Sequence, residues 1–432
     1  MQFAQRLKLM APMLLGGTLL LSASWAGATT GVSAKPRPTR TPVPTAPPRP
    51  TPVPTPQPGP VCWNVAAVPS IPGYDTQLSS VSGSGPNDVW AVGYSTTLIP
   101  GGGGVDGSRH TLTLHWDGVN WSVMPSPDPL AAAANVVNQL NGVFAIAPND
   151  VWAVGYSGGG NQPVTNLILH WNGSTWQIVP SPNLAPIPGL GSANSLTAVS
   201  AVSSNDVWAV GYATTSPLGP QAVLMHWNGT AWALTPAPTE TIGWISAART
   251  GVTAVAANNV WAVGQFSAFR WNGSAWTVAA GFSGQNLKAV DHSSASNVWS
   301  VGTNPPSGGG SEGGGSGFVA NAQRFDGAAW TSTTPDLSLI GSNTAFHGVT
   351  VLSPTNVWAV GFLNQSTMTQ QWDGTRWRVV GSANGNPNPN PNFLGNQLLS
   401  VHANSATDIW AVGFFGDANS NAHALIERYV CQ

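Results

Sequence analysis

Charge is scarce in this 432-residue chain: 7% of its residues are Asp, Glu, Lys or Arg, and Gly, Asn, Ser and Thr carry most of the polarity. What charge there is divides unevenly. Six of the 14 basic residues precede Val61 and all 16 acidic residues follow it, so from Val61 onward eight basic residues face 16 acidic ones. That is a formal −8. A nucleic-acid binder needs a cationic surface to displace counterions from phosphate, so no nucleic-acid partner is expected. No second long apolar run follows Leu9–Leu21, and no Cys lies near that run to carry a lipid. Membrane insertion is therefore not expected once the N-terminus is removed. The Gly-rich stretch 308–317 holds Glu312 but no Lys of a phosphate-binding loop, and reads as flexible. Asp291-His292 has no accompanying Ser or Cys nucleophile in a sharp elbow. No cofactor, no metal and no catalytic residue set is expected.

Arg6 and Lys8 open the chain, Leu9–Leu21 is largely apolar, and Ala26-Gly27-Ala28 offers small residues for cleavage. Residues 1–28 therefore read as a secretory signal, with a retained anchor as the alternative. Residues 29–60 read as a linker: from Lys35 to Pro60, 12 of 26 residues are Pro, mixed with Thr. Such a segment favours extended polyproline II and, at roughly 3.1 Å per residue, reaches about 80 Å. The expected product is secreted or envelope-associated, with its folded part, 61–432, held off on a spacer.

Within 61–432 one phrase recurs. Trp90, Trp152, Trp208, Trp261, Trp299, Trp358 and Trp410 each sit in a version of Asn-Asp-Val-Trp-Ala-Val-Gly. A Val lies nine residues before each Trp, preceded by a small residue: Ser80, Gly142, Ala198, Gly251, Ala289, Gly348 and Ser400. Small residues there let the innermost strands crowd around an axis. Each copy reads as four strands, the last two joined by Asn-Gly or Asp-Gly, a hairpin signal that asks for positive φ at both central residues. Four antiparallel strands repeated every 40 to 60 residues predict an all-β, seven-bladed β-propeller. Of 21 Trp residues, 19 fall at three fixed places in the repeat, which reads as packing between blades. The seventh copy lacks a fourth strand, and Cys62-Trp63-Asn64-Val65 matches one. The ring is thus expected to close by pairing the N-terminal strand with the C-terminal ones. Aligned on the second repeat, Cys431 falls at Gly173 and Cys62 at Thr175, so a disulfide is expected where the hairpin turn is missing.

Val-Trp-Ala-Val-Gly followed by Trp-Asn/Asp-Gly-x-x-Trp resembles secreted bacterial propellers with Asp-box or kelch-like repeats, and also the photosystem II assembly-factor propellers. The likeness spans 61–432 and implies architecture. His115, His170 and His226 stand where an Asp-box usually has Ser or Thr, and Gly directly follows the Asp. The sialidase activity of some Asp-box families is therefore not implied.

On a propeller the short, uniform turns share one face and the variable loops the other, and variable loops on a rigid scaffold are where binding evolves. Near the axis on that loop face the repeat predicts Ser79, Asn141, Thr197, Thr250, Lys288, His347 and Leu399. Asn141, Lys288 and His347 are candidates for an anionic or polyhydroxylated ligand; Trp244 with Glu240 and Arg249 is a second candidate set in the loop 237–250. Tyr94, Tyr156, Tyr212, Phe266, Phe362 and Phe414, at the ends of the second strands, read as rim packing. Asp88, Asp150, Asp206 and Asp408, replaced by Asn in other copies, read as turn residues. The leading expectation is a monomeric, non-catalytic module that binds a glycan or a protein. The alternatives are a glycoside hydrolase or polysaccharide lyase using two of Asp106, Glu240, Asp291 and Glu312, or a structural head without ligand.

Overall fold

The computed structural model describes residues 62–71, 74–98, 105–130, 135–160, 162–185, 193–214, 220–238, 251–304, 317–336, 343–386, 395–419 and 421–431. The expected signal and linker lie outside these residues. All regular structure described is β-strand, paired antiparallel almost throughout. No helix among the described residues is long and apolar enough to cross a membrane. One repeat shows the plan. Asn194–Ser203, Asp206–Ala213, Gln221–Trp227 and Trp232–Leu234 form a four-stranded sheet in chain order. Thr344–Val380 does the same in the sixth repeat. In the last, Trp63–Val65 supplies the fourth strand, with Trp63 opposite Tyr429 and Val65 opposite Glu427.

Two sheets are larger than the repeat alone requires. Trp276–Ser294 runs as one strand that ends the fourth repeat and begins the fifth, fusing them into six strands. A single parallel bridge, Arg109 to Val137, joins the first two repeats into eight. None of the sheets closes on itself.

The first strands follow one another edge to edge, and in each step a backbone N–H or a missing Cβ makes the approach possible. Val143 N donates to Ser80 Oγ (3.2 Å), Ala254 N to Ser200 Oγ (3.0 Å) and Val351 N to the Asp291 carboxylate (2.8 Å). A Cβ on Gly142 would stand 3.0 Å from Ala198 Cα, one on Gly251 2.9 Å from Ala289 Cα, and one on Gly348 2.9 Å from Ser400 Cα. Ser400 Oγ in turn accepts from Val81 N (3.2 Å), bringing the last repeat against the first. The small residues read from the sequence do crowd these strands.

The seven motif Trp side chains are 0–2% exposed. Each meets two aromatics of the next repeat, one tilted and one edge-on. For Trp208 these are Trp271 at 5.1 Å and Trp276 at 5.5 Å. For Trp261, Phe325 stands in the tilted place at 4.7 Å. Trp358 meets Tyr429 and Trp63, and Trp410 meets Trp116 and Trp121 of the first repeat.

The hairpins differ from expectation. Only their glycines take positive φ, 89° to 102° at Gly118, Gly173, Gly229, Gly273, Gly327 and Gly374. The preceding Asn or Asp does not, because its side chain caps a four-residue loop instead: Asn172 Oδ1 accepts from Ser174 N and Thr175 N, both at 3.0 Å. Trp171 opposite Trp176 is the last strand pair before the turn.

Cys62 and Cys431 form a disulfide, with Cα atoms 5.0 Å apart, and Val430 N donates to Cys62 O (3.0 Å). The bond ties residues 369 apart, which by loop-closure entropy contributes up to about 5 kcal/mol. Replacing Cys431 by Ser should lower the thermal midpoint by several degrees, and adding a reductant to the parent should reproduce the shift. A variant that melts like the parent would show that strand pairing alone holds the ends.

Candidate functional site

A repeated irregularity builds the site. In six repeats the first strand slips register by one residue, between Leu78 and Ser80, Leu140 and Gly142, Leu196 and Ala198, Leu287 and Ala289, Phe346 and Gly348, and Leu398 and Ser400. The skipped residue is Ser79, Asn141, Thr197, Lys288, His347 or Leu399, the position read from the sequence as nearest the axis. A bulge bends the strand and re-aims a side chain. It also brings the first strand hard against the second. A Cβ on the motif glycines Gly93, Gly155, Gly211, Gly302, Gly361 or Gly413 would run into the carbonyl of Gln77, Gln139, Ser195, Asn286, Ala345 or Gln397. The glycine of Val-Trp-Ala-Val-Gly is there for the bulge.

All six bulged residues line one cavity of about 500 Å³, together with residues of every first strand. Lys288 is 3% and His347 6% exposed. Thr250, the expected seventh member, lies outside the described residues, as do Trp244, Glu240 and Arg249, so their placement is not part of the geometry.

One side of the mouth carries a connected polar cluster. Tyr94 OH donates to Gln77 Oε1 (3.0 Å) and Tyr156 OH to Gln139 Oε1 (3.3 Å). Gln139 Nε2 donates to Asn141 Oδ1 (2.7 Å), and Asn141 Nδ2 to Leu196 O (2.8 Å). Arg109 Nη1 donates to the same Gln139 Oε1 (2.5 Å), and its guanidinium lies 4.2 Å from the centre of the Tyr94 ring. Burial pushes the Tyr156 hydroxyl up, against the nearby Arg109, and Tyr94 and Tyr212 add to the rise. Tyr156 and Tyr212 line the cavity itself. Three of the six aromatics read as rim packing thus carry hydroxyls at or beside the cavity. Phe362 does pack, against His347 at 5.5 Å, and Phe266 takes φ 67° in the shortest of the variable loops.

Arg109 was not singled out from the sequence, though a signal existed. Of eight basic residues after Val61, Arg270, Arg324 and Arg428 fill one repeat position and Arg376 and Arg378 flank one hairpin. Arg109, Arg249 and Lys288 are what the repeat leaves unexplained.

Three residues beyond the bulge lie Ser82, Phe144, Ser200, Thr253, Asp291, Thr350 and His402, also lining the cavity. Asp291 is the cavity's one carboxyl among the described residues. Burial pushes it up to about 6 against hydrogen bonds from His292, Val351 and Thr350. A third of its side chain is accessible, but the water that reaches it sits inside a protein-walled space, so desolvation still dominates. Burial holds His292 and His402 below the ordinary imidazole value. His292 Nδ1 shares a hydrogen bond with Thr253 Oγ1 (2.7 Å).

The other histidines read from the sequence lie elsewhere. His115, His170 and His226 bond Asp88, Asp150 and Asp206 at 2.7 to 2.8 Å and lie against Trp90, Trp152 and Trp208. Those aspartates do more than turn the chain. Each accepts a donor from the third strand of its own repeat, as Asp408 does from Arg428; Asn259 likewise accepts from Arg270 at the far end of the long strand Asn259–Trp271. No group of three or more His, Cys, Asp or Glu suited to a metal occurs among the described residues.

No protein-family model matches the chain, and no curated protein matches it. Solved structures do. "YCF48 bound to D1 peptide" is 13% identical with TM-score 0.49, over 86% of this chain and 96% of that one. A protein of unknown function from Dyadobacter fermentans is 11% identical with TM-score 0.48, over 85% and 99%. A Trypanosoma rangeli sialidase mutant with trans-sialidase activity is 11% identical with TM-score 0.41, over 83% and 54%.

Gly361→Ala, with no room for its methyl group at the Ala345 carbonyl, should cost about 1–3 kcal/mol by overpacking; chemical denaturation measures it, and a neutral result would mean the bulge yields easily. For Asp291 the folded value stands above the unfolded one, so its contribution is complete below about pH 4 and lost as pH rises through about 6. Asp291→Asn should therefore gain on the parent in thermal melts at pH 8 and lose that gain by pH 4. An unchanging difference across that range would remove burial as the cause.

Proposed function

We propose that residues 61–432 form a seven-bladed β-propeller, closed by the N-terminal strand, that is secreted or held at the cell envelope and binds a glycan at its loop face without catalysis. Support for the ring comes from the succession of first strands that returns from Ser400 to Val81, and from the Trp410 contact with Trp116 and Trp121. The disulfide and the composition of residues 1–60 are consistent with export.

The observation that carries the glycan reading is the cavity mouth: the hydrogen-bonded sets Tyr94–Gln77 and Tyr156–Gln139–Asn141, bridged by Arg109, beside hydroxyl-lined walls. Sugars present apolar ring faces and many hydroxyls, and aromatic rings with fixed amides match both. Pre-bonding fixes these side chains before a ligand arrives, which lowers the ordering cost of binding. We assign the contacts to Asn141, Lys288 and His347, and extend the site to Trp244, Arg249 and Glu240, which lie outside the described residues. A protein partner at the same face is the second outcome of the test. A hydrolase would need a second carboxyl about 5 to 10 Å from Asp291; the side chains of Asp106, Glu240 and Glu312 lie outside the described residues.

Glycan-array binding of the full chain, with Tyr156→Ala, Asn141→Ala and Lys288→Ala/His347→Ala beside the parent, tests this. Saturable binding that weakens about tenfold or more in these folded variants is expected, the loss of one or two charged or neutral hydrogen bonds. Binding untouched by all three would move the site elsewhere, and no binding by any form would overturn the glycan reading.

A further inference from the structure

Arg109, like Arg270 with Asn259 and Trp261, has neutral partners among the described residues, but it alone of these is hydrogen-bonded to a residue that lines the cavity, Gln139. Its hydrogen bonds among the described residues go to Gln139 and Tyr156, and its plane lies over Tyr94. No carboxylate pairs with it there, although the domain is rich in acids relative to bases. Arg378, by contrast, is paired with Asp373, and Arg428 with Asp408. A guanidinium carries five N–H donors in a rigid fork suited to the two oxygens of a carboxylate. Neutral partners orient that fork without neutralising it.

The hydrogen-bond partner of Arg109 connects it to the cavity. Gln139 joins Arg109 to the cavity: its Oε1 takes the donors from Arg109 and Tyr156, which leaves Nε2 directed to Asn141. Gln139, Asn141 and Tyr156 all line the cavity, and Lys288 and His347 line it from other repeats. The cavity's carboxyl, Asp291, sits three residues deeper along its strand than Lys288. Lys288 and His347 thus stand at the level of the bulges, Asp291, His292 and His402 lie beyond them, and Arg109 is joined to the cavity through Gln139. Arg109 itself is anchored by the parallel bridge Arg109 to Val137, which fixes its backbone between two repeats.

We infer that the ligand is an acidic glycan, and that Arg109 receives the carboxylate of a uronic acid residue while the tyrosines and amides take its ring and hydroxyls. This rests on the glycan reading above and narrows it to one chemical class. A charge-assisted fork to a carboxylate is stronger and more directional than the neutral hydrogen bonds that the remainder of the mouth offers.

The test compares trigalacturonate with the same trisaccharide after reduction of its carboxyl groups to primary alcohols, by calorimetric titration of the full chain at low ionic strength. The parent should bind the acidic form about tenfold or more tightly, with the preference shrinking as salt is added. Arg109→Gln should erase the preference, costing the acidic form about tenfold or more beyond whatever it costs the neutral one. Arg109→Lys, which keeps charge but not the fork, should fall between. Equal affinity of the parent for both sugars would overturn the acidic class and leave a glycan site standing. Equal losses for both sugars in Arg109→Gln would make Arg109 a structural support and also overturn the inference. Binding of neither sugar would remove this inference while the array decides the broader reading. Should Arg109→Gln not fold, the comparison of the two sugars on the parent and on Arg109→Lys still decides.

Discussion

The structure depends on a tryptophan that belongs to one repeat and is buried by the next. Each motif Trp sits on the second strand of its own sheet and packs against two aromatics of its neighbour. Such pairs are worth about 0.5 to 1.5 kcal/mol beyond the area they bury. No single repeat can bury its own Trp, so the repeats are stable only in company. Trp63 is the point where that logic meets the chain ends. It is a three-residue strand's contribution to the last sheet, fully buried against Trp358 and Tyr429, and the disulfide one residue away holds it there.

The same packing creates the cavity. Aromatics of this size keep the outer parts of neighbouring sheets apart, while Gly, Ala and Ser at the inner strands let the backbones converge. Convergence stops where bulged residues turn inward. Their side chains are free of strand periodicity, so they vary from repeat to repeat while the scaffold does not. Ser79 and Thr197 are small, Lys288 and His347 are not, and the differences decide the chemistry of the mouth.

Much of this was legible in the sequence. The strands, the matching of Trp63–Val65 to the truncated last repeat, the Cys62–Cys431 pairing and the bulged positions all follow from the strict spacing around the motif Trp. The turn conformation did not follow, because Asn-Gly serves a two-residue turn and a side-chain-capped loop equally well. Fusion of neighbouring sheets through Trp276–Ser294 and through Arg109 could not be read, since strand continuity and a single bridge depend on loop geometry. Nor could the hydrogen-bonded mouth. Tyrosine stands at the end of the second strand in the first three repeats and phenylalanine in three later ones, and only position reveals that Tyr94 and Tyr156 turn their hydroxyls to Gln77 and Gln139. Arg109 belongs to no repeat position at all, which is why periodicity passed over it.

The central claim is that one rigid mouth, assembled from several repeats around the cavity, is where the ligand sits. Hydrogen exchange of the full chain with and without a saturating glycan tests it most directly. The account predicts slowed exchange together in the segments around Gln77–Tyr94, Gln139–Tyr156 and Lys288–Asp291, from repeats far apart in sequence. Protection confined to the outer strands, or to a single repeat, would contradict it.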